Sequence, residues 1–150
     1  MLHEYSLLDK DIETIHTLWT TTYNTDGKPD WSHIFPYYHD EIVFQDSIQR
    51  IEGKDEFLKM TKRLTKRSKS LEMELHHLSK DNHTIVMEWT MTMRFRIFPS
   101  SSMYGMTRLT LGEDGRIMKQ RDYYDLWGDI ADNVPLYKHL YRWFMRRFFG

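Results

Sequence analysis

The stretch Ile85 to Ile97, IVMEWTMTMRFRI, decides the fold. Ile85, Met87, Trp89, Met91, Met93, Phe95 and Ile97 alternate with Val86, Glu88, Thr90, Thr92, Arg94 and Arg96. Successive side chains of an extended chain point to opposite faces, so this alternation predicts a long strand with one apolar face. Before it, Leu71, Met73, Leu75 and His77 share a face and end at the turn Lys80-Asp81-Asn82. After it, Pro99 and three serines make a turn, Met103 to Leu111 returns, Gly112 to Gly115 turns again, and Arg116 to Tyr124 gives a last strand. Strand-length runs between turn residues at regular intervals predict an antiparallel meander.

Toward the N-terminus the period changes from two to that of a helix. Leu8, Ile12, Ile15 and Trp19 form one stripe of a helix starting from Ser6 as N-cap and stopped by Asn24, Gly27 and Pro29. Asp30 is placed to cap a short second helix over Trp31 to Tyr38, distorted by Pro36. A strand from Glu41 to Asp46 follows, with Ile42, Phe44 and Asp46 on one face. After Gly53, the stripe Phe57, Met60, Thr61 and Leu64 predicts a third helix, and the basic run Lys62 to Lys69 its solvated end and loop. From Asp125 the chain is helical again, with Leu136, Leu140, Trp143 and Phe144 among Lys138, Arg142, Arg146 and Arg147.

These elements make one α+β domain over residues 1–150, a curved antiparallel sheet packed against N-terminal helices. No linker or repeat divides the chain, and 150 residues suit a single core. The mean hydropathy of -0.67 and the lack of a long apolar run predict a soluble protein, with the cytoplasm as the default location. The sequence has no cysteine, which removes disulfides and thiolate chemistry. The net charge of -1 removes whole-molecule attraction for nucleic acid. No metal-ligand spacing or phosphate loop occurs, so neither metal nor cofactor is expected. An aromatic share of 15% with ten methionines supplies side chains that fill cores and also line apolar pockets.

Two stretches carry a family resemblance. Residues 31–53, WSHIFPYYHDEIVFQDSIQRIEG, and residues 115–125, GRIMKQRDYYD, resemble the nuclear transport factor 2-like superfamily, the second being similar to the last strand of SnoaL-like polyketide cyclases and limonene epoxide hydrolases. The resemblance implies a cone-shaped sheet with a pocket for a small hydrophobic ligand between sheet and helices. It places Asp46 at the general base of ketosteroid isomerases, and Trp19 and Thr107 where that enzyme has its oxyanion donors. It places Asp122 at a catalytic aspartate of limonene epoxide hydrolases. Trp89 and Met91 stand where the hydrolase has an arginine and a second aspartate; Phe44 and Asp46 stand where it holds its water.

Asp122 and Asp46 are therefore the candidate catalytic residues of an acid/base isomerase, cyclase, dehydratase or hydrolase; a non-catalytic binding or dimerisation module is the alternative. Buried among aromatics, two carboxylates would be raised in pKa and suited to proton transfer. The structural readings stay open: Asp46 as a turn cap before Ser47, and Asp122 as an acceptor for Trp or Tyr donors. The expected pocket wall comprises Trp19, Phe44, His77, Trp89, Met91, Tyr104, Gln120 and Tyr124. His76 and His77 face opposite sides of a regular strand, and a bulge would swap them. A homodimer through the outer sheet face is implied by the resemblance. The basic aromatic C-terminal helix has three readings: packing on the domain, dimer contact, or peripheral contact with an anionic membrane.

Overall fold

The computed structural model describes residues 1–23, 28–97, 100–134 and 136–150. The helix stop at Asn24 and Gly27 and the turn at Pro99 lie outside these residues. The order is α1 (Ile12–Tyr23), a single 3-10 turn (Phe35–Tyr37), β1 (Tyr38–Gln45), β2 (Arg50–Glu52), α2 (Lys54–Arg67), β3 (Ser68–Asp81), β4 (Thr84–Phe95), β5 (Ser101–Leu111), β6 (Ile117–Tyr124), α3 (Leu126–Ala131) and α4 (Tyr137–Phe148). The six strands form one curved, unclosed sheet in the order β2-β1-β6-β5-β4-β3. Strands β3 to β6 are the antiparallel meander, while β1 joins it parallel to β6 and is antiparallel to β2. The arrangement is the α+β cone expected from the sequence.

The alternation read in β4 becomes burial. Ile85, Met87, Trp89 and Met93 are buried on the inner face, where they meet Ile15 and Trp19 of α1 and Phe57 of α2 in one core. Across β5 the same period buries Met103, Thr107 and Leu109. In α2, Phe57 and Thr61 are buried and Met60 and Leu64 pack against the core, as the stripe predicts.

Several boundaries differ from the sequence reading. Helix α1 begins at Ile12, because Asp11 caps it: Asp11 Oδ1 accepts the Thr14 N–H at 2.7 Å. Ser6 is instead buried in a turn, its Oγ accepting the Leu8 N–H at 3.0 Å. That turn lies on Gly115, whose φ of 82° and overlap with Ser6 on addition of a Cβ require glycine. The second helix shrinks to the 3-10 turn, because Tyr38 already opens β1. Strand β2 was not foreseen, and the basic run to Lys69 has no loop: Ser68 is buried and starts β3 directly.

Near its end β3 bulges. Leu75 faces Trp89, yet His77 faces Glu88, so His76 is an extra residue and the phase of the strand shifts. Leu78 is buried as a result, and His77 turns outward.

Candidate active site

The inner ends of β4, β5 and β6 hold a chain of hydrogen bonds that converges on Asp122. Trp89 Nε1–H donates to Thr107 Oγ1 at 2.9 Å, and the Thr107 hydroxyl donates to Asp122 Oδ1 at 2.7 Å. The direction follows from chemistry: an indole nitrogen only donates, so Thr107 spends its lone pair on Trp89 and its proton on Asp122. From the other side, Tyr38 Oη–H donates to Gln120 Oε1 at 2.6 Å, which turns Gln120 Nε2 toward Asp122 Oδ1 at 3.2 Å. Asp122 Oδ2 receives just a long 3.4 Å approach from the same amide. One carboxylate oxygen is thus held and the other keeps accepting capacity.

Register explains why these residues meet. Thr107 lies opposite Asp122 in the β5–β6 ladder, and Trp89 lies opposite Gly105 in the β4–β5 ladder. A Cβ at Gly105 would overlap the Trp89 indole, so that glycine lets the ring lie across β5 toward Tyr124, 6.5 Å away between ring centroids.

Electrostatics single out the same group. Burial pushes Asp122 up to about 6, and the Asp46 carboxylate adds to the rise, while the hydrogen bonds from Thr107 and Gln120 pull the other way. Burial and the charge of Asp122 together hold Tyr23 protonated; burial, Tyr23 and Asp122 do the same for Tyr38. Tyr23, Tyr124, Asp46 and Asp122 are each partly exposed.

Asp46 is used differently. It follows β1, where Oδ1 accepts the backbone N–H groups of Ile48 and Gln49 at 2.8 and 2.9 Å, and its own N–H donates to Gln49 O. The turn-capping reading therefore describes Oδ1. Oδ2 accepts the Tyr124 hydroxyl at 3.0 Å, which ties the turn to the end of β6.

The structure thus brings Trp89, Gln120, Asp122, Tyr124 and Asp46 together. Trp19 and Phe44 are 3% and 4% exposed, so both serve as packed floor; the Phe44 ring lies 5.6 Å from that of Phe57. Met91 lies on the inner face opposite Met73 and Met103. Two expectations fail. His77 is exposed opposite Glu88 because of the bulge. Tyr104 is 67% exposed on the outer face, out of phase with buried Met103; its ring lies 6.4 Å from His76, which bonds Thr90 Oγ1 at 2.7 Å. A cavity of about 620 Å³ runs along that outer side, past Glu88, Tyr104, Met106 and Tyr123, and reaches Asp122 and Tyr124.

Sequence reasoning missed Tyr38 and Tyr23 and gave Thr107 no role of its own. Thr107 carried a signal, a hydroxyl at an inward position of an apolar strand. Tyr38 carried none, since its partner Gln120 is 82 residues away. No cluster of metal-ligating residues occurs among the described residues, and no helix among them is long and apolar enough to cross a membrane.

Residues 19–120 match the family described as the SnoaL-like domain. The fold is similar to that of an LEH-like epoxide hydrolase from M. tuberculosis, with a TM-score of 0.66 and 18% identity over 82% of this chain and 87% of that one. It is also similar to a protein of ketosteroid isomerase-like fold from Catenulispora acidiphila in complex with trimethylamine, with a TM-score of 0.68 and 13% identity over 81% and 92% of the two chains. A candidate SnoaL-like polyketide cyclase from Jannaschia sp. CCS1 gives 0.65 and 17% over 83% and 91%. At these identities the likeness is one of fold. No curated protein matches the sequence.

Proposed function

The chain belongs to the SnoaL-like domain family, and from that premise we propose that it is an acid/base enzyme acting on a small hydrophobic molecule, with Asp122 as the group that takes and returns a proton. The observation that carries the reading is the state of Asp122: a carboxyl raised to about 6, one oxygen fixed by Thr107 and Gln120, the other met by the long 3.4 Å approach of the Gln120 amide and keeping accepting capacity. A base poised near the working pH is efficient in both directions of proton transfer. Proton abstraction beside a carbonyl, followed by return to another atom, is the reaction class this supports. The Tyr23 phenol, kept protonated beside Asp122, is suited to donate a hydrogen bond to the oxygen on which charge develops.

Epoxide hydrolysis fits less well. The positions of the hydrolase's arginine and second aspartate are held by Trp89, buried and bonded to Thr107, and Met91, which has no group to activate water. A non-catalytic binding module is the second reading, favoured by the packing of Trp19, Phe44 and Trp89, each under 5% exposed.

The test is exchange of the α-hydrogens of small hydrophobic ketones in D2O, followed by NMR, with thermal shift as a separate measure of binding. Asp122→Asn is expected to keep binding and lose about 10²- to 10⁴-fold in exchange rate, the usual worth of a positioned base. Ligand binding with no exchange by the wild type, or exchange untouched by Asp122→Asn, would overturn the proposal in favour of the binding module.

A further inference from the structure

The C-terminal helix α4 (Tyr137–Phe148) does not pack into the domain, since none of its residues is buried. Leu140, Trp143, Phe144 and Phe148 are 64%, 58%, 46% and 62% exposed. At 3.6 residues per turn, Leu140, Phe144 and Phe148 form one row with Trp143 beside it, and Lys138, Arg142 and Arg146 form a row on the other side. Tyr141 and Met145, half-buried, face back toward the protein. Arg142 grips Asp132 through two bonds of 3.0 and 2.6 Å, which ties the middle of the helix to the segment after α3. From Leu136 to Gly150 the sequence holds four lysines and arginines and no aspartate or glutamate.

We propose that α4 is an in-plane anchor for an anionic lipid surface. Exposed aromatic and leucine side chains are costly in water, and a row of them bordered by cations has the pattern of an interfacial helix: the apolar row enters the headgroup boundary while the basic row meets lipid charge. Twelve residues span about 18 Å, well short of the roughly 30 Å of a bilayer core, so the helix lies on the surface instead of crossing it. Charge decides between this occupant and a second copy of the chain. Pairing α4 with α4 through the apolar rows about a twofold axis would trap Arg147 of each copy, which lies within that row, in the interface with no carboxylate on either helix, whereas an anionic leaflet complements it. Arg147, seven residues after Leu140 and so within the apolar row, lies over the Phe148 ring at 5.8 Å and sets a cation among those side chains. The proposal is independent of the chemistry at Asp122.

Its test is co-sedimentation of the full chain with phosphatidylcholine vesicles, with and without about a third phosphatidylserine. Binding is expected with phosphatidylserine, weakened by high salt and near background without it. Each Lys or Arg at such a surface is worth about fivefold in partitioning, so Arg146→Gln with Arg147→Gln should lower binding roughly 25-fold. Trp143→Glu with Phe144→Glu should remove it, and circular dichroism melts of these variants should match wild type, since the positions are exposed. Equal sedimentation with both vesicle types, or binding unchanged by the arginine pair, would overturn the proposal. So would a dimer in sedimentation equilibrium that Trp143→Glu dissociates in a protein that ignores lipid, which would assign the apolar row to a second copy.

Discussion

The turn after β1 and the paired strands β5 and β6 each hold one aspartate, and the two meet through Tyr124 at the same end of the sheet. Asp46 lies in a turn, where backbone N–H groups must find acceptors, and its Oδ1 takes two of them. Asp122 lies mid-strand, where the ladder already satisfies the backbone, so its carboxylate meets side chains alone: Thr107 and Gln120. Local backbone need therefore decides which carboxylate is structural. The strand aspartate is left with a raised pKa and one oxygen held just by a long amide contact.

Substitutions can break or sharpen that contrast. The largest effect is expected at Trp89, which connects the core to the Asp122 network. Trp89→Ala opens a cavity over Gly105 and frees Thr107, and should cost about 3–5 kcal/mol in denaturant unfolding. Trp89→Phe keeps most of the bulk and loses the N–H, for about 1 kcal/mol. At Asp46 the effect is smaller. Asp46→Ala deprives Ile48, Gln49 and Tyr124 of an acceptor in a half-exposed turn, which should cost about 1–2 kcal/mol, whereas Asp46→Asn keeps the Oδ1 acceptor and should stay within about 0.5 kcal/mol. Asp46→Asn should also leave proton exchange within a few-fold of wild type. A loss as large as that of Asp122→Asn would reverse the roles assigned to the two aspartates.

The contrast was only partly legible in the sequence. Side-chain alternation in 85–97 and the α2 stripe are local signals, and both became buried faces, although β4 ends at Phe95 and Ile97, expected on the apolar face, is exposed. The bulge at His76 has no local signature, because it compensates for register against β4, and it moved His77 out of the site. Tyr104 stands between inward Met103 and Gly105 on β5, so the period of two already assigns it to the outer face, away from the pocket wall. Asp122 was legible from the resemblance of RDYYD, yet its partners come from β1 and β5. The Tyr38–Gln120 and Trp89–Thr107 bonds are products of tertiary packing that no window of sequence contains. For the C-terminal segment, amphipathic spacing predicted the helix, while the exposure of its apolar row shows only in the folded chain.

The central claim is that Asp122 holds its proton to near neutrality, and the stability of wild type against Asp122→Asn as a function of pH tests it most directly. In the unfolded chain the carboxyl loses its proton near 3.8, and in the folded protein near 6. Between those values the folded state binds more protons, so wild type should lose stability relative to Asp122→Asn as pH rises through that window. The loss should level off above about pH 7 at about 1–3 kcal/mol, toward the lower end because Asp122 keeps some contact with solvent. A difference between the two proteins that stays flat from pH 4 to 8, or that moves in favour of wild type as pH rises, would show an ordinary or lowered carboxyl and contradict the account.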